Sequence, residues 1–252
     1  MMRTVLVRGL LAGLIAGALA TVFAYVVGEP SVDVAIGLEE AGPGAHEHGH
    51  GAEEAVVSRG VQRTVGLLTG VGLYGVAVGG LFAVAFAFVH GRLGALRPRL
   101  TAALLAAGAF VVVVLVPFLK YPANPPAVGQ PGTIGDRTSL YFGFVALSLA
   151  LGIVAAVAGR ALADRLGAWW GGLLAAGGYV VAAAVAAALL PVVDEVPPEF
   201  PGSVLWDFRL ASLATQLVLW TSLGLLFGAF AERALRAGDT APTAPAGLAG
   251  QR

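Results

Sequence analysis

The stretch VLVRGLLAGLIAGALATVFAYVVG, residues 5–28, decides the fold. Arg8 is its only charge, and the run is long enough to cross a bilayer, which takes about 20 residues. A secretory leader is the competing reading: Arg3 and Arg8 would form its positive end and ALA (18–20) its cleavage-like site. The apolar run continues to Val27, longer than a leader's apolar core of about 7–15 residues, so a retained span is expected. Gly9, Gly13 and Gly17 recur at every fourth position, the small-xxx-small spacing that lets membrane helices pack backbone to backbone.

Five further apolar segments follow, at about 65–89, 101–119, 140–159, 169–193 and 210–230. Gly66/Gly70, Gly75/Gly79 and Gly224/Gly228 repeat the glycine spacing. The chain is 58% hydrophobic and 12% charged, against about 25% charged in a soluble domain. The fold expected is therefore all-α: a polytopic membrane bundle of six helices, or five if the first is cleaved. The bundle should occupy 1–236, with outer loops at 29–64, 120–139 and 194–209 and a disordered cytoplasmic tail at 237–252.

Composition also excludes. There is no cysteine, so no disulfide framework and no thiolate metal site. Lys120, the single lysine, stands outside any phosphate-loop motif, and a net charge of zero gives no sign of nucleic acid. No nucleophile–base pair is evident, so no enzyme is expected, nor any prosthetic group.

Arginine placement orients the bundle. With both termini cytoplasmic, ten of the 15 Lys and Arg residues fall inside and five outside, which obeys the positive-inside rule. The acids divide the other way, three inside and twelve outside, so the outer face attracts cations. An inner (plasma) membrane protein follows, in contact with lipid and with self-association left open.

The outer loops hold the chemistry. GAHEHGHGAEE (44–54) carries His46, His48 and His50 among Glu39, Glu40, Glu47, Glu53 and Glu54. Alternating imidazoles in a glycine-rich loop suit Co, Ni, Cu or Zn, and affinity order alone does not choose among them. HEHGH also matches the His-Glu-x-x-His metalloprotease pattern, but that motif needs a helix, and Gly44, Gly49 and Gly51 argue against one. At the mouth, Glu29, Glu195 and Asp207 should lie where a hydrated ion first meets low dielectric, with Asn124 adding an amide oxygen and Arg209 placed to neutralise Asp207. The prolines of these connections are expected to exclude regular helix. Inside the membrane the polar residues are mild. Ser212, Gln216 and Trp220, four apart, share a helix face, and a hydrogen bond gluing two helices is the expected role for Gln216 over a place on a pathway.

EPSVDVAI (29–36), SRGVQRTVGLLTG (58–70), KYPANPPAVGQPGTIGDR (120–137) and DEVPPEFPGSVLWDFRLASLATQLVLW (194–220) resemble the CbtA family of predicted cobalt transporter subunits. Ala123 stands where that family suggests proline, and Asp194 where it suggests asparagine. The family is usually described with five spans, against six here. The resemblance implies uptake of Co2+ for corrinoid synthesis; the imidazole chemistry by itself keeps Ni2+ or Zn2+ as alternative cargo. It also implies a small, single-span, His-bearing partner, CbtB. The competing class is a non-transporting membrane scaffold or metal sensor.

Overall fold

The computed structural model describes residues 2–41, 58–92 and 96–239. Six helices are long and apolar enough to span a membrane: α1 (Met2–Ala41), α2 (Arg59–Val89), α3 (Pro98–Lys120), α4 (Pro131–Leu166), α5 (Ala168–Leu189) and α6 (Gly202–Asp239). No strand occurs among the described residues. The all-helical, six-span reading holds, the first segment being the leading helix of the core.

The helices run past the apolar segments, and proline does not stop them. Residues 29–41, expected as loop, continue α1 as helix. A proline in a helix clashes with the carbonyl four residues back. For Pro30 that residue is Val26, inside a widened π turn at Ala24–Gly28. For Pro117 it is Val113, inside a second π turn at Phe110–Leu115. The wide turns displace the offending carbonyl, so both helices continue.

Glycine sets the central crossing. A Cβ built on Gly75 would lie 2.8 Å from Gly17 Cα, and one on Gly79 would lie 2.7 Å from Gly13 Cα. The backbones of α1 and α2 thus touch, and only hydrogen fits between them. Gly224 and Gly228 seat α6 on α3, against Ala106 and Arg99. Gly66 and Gly70, by contrast, make no close helix contact, so only three of the four glycine groups pack. Around these crossings α1, α2, α3 and α6 bury one core. At its centre the Phe227 ring meets Phe82 and Phe86 edge to face, at 5.2 and 4.9 Å.

Helices α4 and α5 form a hairpin outside that core. Gly167 turns the chain in one residue at φ 84°, which glycine alone adopts without strain. The hairpin docks on α3 through fully buried Ser148. Its hydroxyl donates to the Val112 carbonyl at 2.6 Å and accepts from the Tyr179 hydroxyl at 2.8 Å. The exposed Trp169 and Trp170 at one end and Trp206 at the other suit the two membrane–water interfaces.

Candidate functional site: a cavity beneath two loops

Helices α2, α3, α4 and α6 line a half-open cavity of about 1430 Å³. Its roof is the 121–128 segment and the 192–196 segment. The roof is tied down by named bonds. Lys120 Nζ donates to the Leu190 carbonyl at 3.0 Å and the Tyr121 hydroxyl to the Pro191 carbonyl at 2.9 Å. The Gln130 N–H donates to Glu195 at 2.8 Å, and Arg137 lies 3.4 Å from the same carboxylate. The Thr133 hydroxyl, the Gln130 N–H and Arg137 together hold the Glu195 carboxyl below the usual carboxylate range.

The four mouth candidates separate into two places. Glu195 and Asn124 line the cavity, together with Asp194. Asn124 Oδ1 accepts from Arg209 at 2.9 Å, and Arg209 also reaches the Ala123 carbonyl at 3.3 Å. Arg209 thus turns to Asn124, with Asp194 its charged neighbour, rather than to Asp207. Asp207 is exposed and lines a separate 500 Å³ hollow with Val27, Pro30, Ser31 and Val34. Glu29 lies on that α1 side too, 2.6 Å from Arg59, which also reaches Asp33 at 3.0 Å. Arg63 continues the chain, 3.5 Å from Asp33 and 3.3 Å from the Tyr25 hydroxyl. This ladder fastens the C-terminal extension of α1 to the start of α2. Among the described residues no three His, Asp or Glu side chains come together as a metal-holding group. His46, His48 and His50 lie outside the described residues, as does the tail beyond Asp239.

Below the roof the cavity wall is neutral. It carries Tyr74 from α2, Tyr141 from α4, and Ser212, Thr215, Gln216 and Trp220 from α6. The Gln216 side chain lies within hydrogen-bonding range of the Tyr74 hydroxyl on α2, in line with the interhelical bond expected of it. Gln216 Oε1 has no hydrogen-bond partner and is out of reach of water, although the residue lines the cavity. Trp220 is 7% exposed and its Nε1 is likewise unpartnered.

At the opposite end sits a cluster that sequence reasoning did not pick out. Glu232, 8% exposed, pairs with Arg99 of α3 and with Arg236 at 2.5 Å. Arg8 of α1 donates to the Phe230 carbonyl of α6. His90 stacks on Phe86, ring centroids 5.0 Å apart, at the same end of α2. The signal available was Glu232 itself, a rare acid in an arginine-rich region.

A glycine-packed bundle of six helices long and apolar enough to span a membrane, with a roofed cavity among four of them, marks a multi-pass membrane protein. The chain belongs to the CbtA family, described as "Probable cobalt transporter subunit", whose profile matches residues 2–232. No curated protein and no solved structure matches it.

Proposed function

We propose that this chain is the membrane subunit of a divalent transition-metal uptake transporter with Co2+ as cargo. The observation that carries the reading is a cavity in a CbtA-family bundle, roofed by acid-bearing loops and carrying neutral polar side chains on its wall. His46, His48 and His50 raise the local metal concentration on the outer face. Glu195 and Asn124 at the cavity roof receive the ion, and Asp194 adds charge beside them. Glu29 and Asp207 form an outlying carboxylate pair on the α1 side that draws cations toward the mouth. Both termini are cytoplasmic, and the membrane is the plasma membrane.

The family description as a subunit supports a partner. A single-span, His-bearing CbtB-like helix fits the flank between α2 and α4, which share no extensive contact. Leu81 (72% exposed) and Phe142 (63% exposed) stand on that flank while also lining the cavity. A lipid-filled flank would leave the polar wall facing hydrocarbon, so a protein wall there is favoured.

The test is uptake of labelled Co2+ by cells expressing the chain with and without the partner, in competition with Ni2+, Zn2+ and Cu2+. Accumulation above control cells, cut most by excess unlabelled Co2+, is expected. No accumulation with both subunits at normal abundance refutes the reading.

A further inference from the structure

Resting on the transport reading, we infer that Arg137 is a tethered cation that latches the cavity roof shut by occupying Glu195, and that an arriving divalent cation opens the roof by displacing it. Three cations, Lys120, Arg137 and Arg209, tie the roof, and they differ in what they hold. Lys120 donates to the Leu190 carbonyl at 3.0 Å. Arg209 donates to Asn124 Oδ1 and to the Ala123 carbonyl. Those acceptors are neutral. Among the described residues, Arg137 is the one of the three paired with a carboxylate, its Nε 3.4 Å from Glu195. The Glu195 side chain is 13% exposed, so an ion arriving from solvent reaches the same carboxylate.

The guanidinium has a seat of its own. Gly129 lies against it at φ 112°, and a Cβ there would come within 2.7 Å of the guanidinium carbon. Only glycine combines that backbone angle with that room. The grip is light all the same. Arg137 Nε makes no hydrogen bond, so its contact with Glu195 is one of charge alone. The bond from Nη2 to the Gln130 carbonyl is long, at 3.3 Å. A dication competes for Glu195 with twice the charge. Bound to either carboxylate oxygen, it would stand within a few ångströms of the guanidinium, and like charges that close repel. Arg137 gives way because its tether is a flexible side chain. The Gln130 N–H, which donates to Glu195 at 2.8 Å, turns its positive end toward the same ion and is driven off with it. The other edge of the roof meets no such competitor. There Lys120 and the Tyr121 hydroxyl hold the Leu190 and Pro191 carbonyls, whose neutral oxygens attract a dication far less. One edge therefore releases while the other stays as the hinge.

Uptake of labelled Co2+ by cells carrying the full chain and its partner tests the latch by sign. Arg137→Gln and Arg137→Met should each lower the half-saturating Co2+ concentration by about two- to fivefold, the contribution of a partly exposed ion pair. Glu195→Gln should raise it. Arg137→Gln combined with Glu195→Gln should match Glu195→Gln alone, since no carboxylate is left to free. A pair that only braces the roof predicts weaker uptake from both single variants. A second measurement needs no substitution. In the purified full chain in lipid nanodiscs, added Co2+ should speed amide hydrogen exchange in the peptide that holds Gln130, read by mass spectrometry. A ligand that merely binds and stabilises the folded chain would slow it. With wild-type uptake intact, two results overturn the latch and leave the transport reading standing. One is a half-saturating concentration unchanged or raised in Arg137→Gln at normal abundance; the other is exchange at the Gln130 peptide unchanged or slowed by Co2+. No Co2+ uptake by the wild-type chain with its partner overturns the transport reading and the latch with it.

Discussion

Replacing Gly75 by alanine should loosen the bundle at its centre. The added Cβ would lie 2.8 Å from Gly17 Cα and 3.1 Å from Gly17 N. Carbon atoms rest at about 3.5–4.0 Å, so the backbones of α1 and α2 must part by about 1 Å. Neither obstacle is a flexible side-chain tip, so nothing local can swing away. Parting the helices also loosens the neighbouring contacts at Gly79 and Gly13. Overpacking a well-packed interior costs about 1–3 kcal/mol. That is roughly a five- to 150-fold shift toward the unfolded state. The assay is the fraction of detergent-solubilised protein surviving a temperature ramp as a single size-exclusion peak. Gly178→Ala is the control, since a Cβ there meets nothing within 4 Å. A Gly75→Ala protein as heat-resistant as Gly178→Ala would refute the backbone-contact account of the crossing.

Three other outcomes are expected. His46→Ala, His48→Ala and His50→Ala combined should raise the half-saturating Co2+ concentration several-fold and leave the maximal rate near wild type; collapse of the maximal rate would place the histidines on the pathway. Glu195→Gln should reduce uptake more than Asp207→Asn, since only Glu195 faces the cavity. Because its bonds lower the Glu195 pKa below the ordinary 4.5, the roof contacts are complete above that value and fade only as pH falls through the depressed one; a wild-type break in uptake near pH 6 that vanishes in Glu195→Gln would contradict this. With no native cysteine to interfere, an impermeant thiol reagent should label His48→Cys in intact cells and spare Arg97→Cys. The reverse pattern would invert the orientation.

The spans were legible because burial in lipid selects long apolar runs, and the sequence shows them directly. The helix ends were not. Residues 29–41 carry Glu29, Asp33, Glu39 and Glu40 and read as a loop, yet a π turn absorbs Pro30 and an arginine ladder from α2 holds the extension. That support comes from Arg59 and Arg63, some 30 residues further along the chain, where local pattern is silent. Glycine spacing found the α1–α2 crossing but also marked Gly66 and Gly70, because spacing shows a face and not what lies against it. The same limit hid the cavity beside Gln216: the i, i+4 face was visible, while what lay against it besides Tyr74 depended on α2 and α4. The Arg8–Phe230 contact joins residues 222 apart and has no local signature at all.

The central claim is that metal passes through the cavity walled by α2, α3, α4 and α6. Thr138 lines that wall and is exposed, so Thr138→Cys places a thiol in the cavity without touching the roof bonds. Labelled Co2+ uptake should be measured in cells carrying this variant and its partner subunit, before and after reaction with a bulky impermeant maleimide. The account predicts near-wild-type uptake before modification and little above control cells after it. Full modification with uptake unchanged would contradict the account.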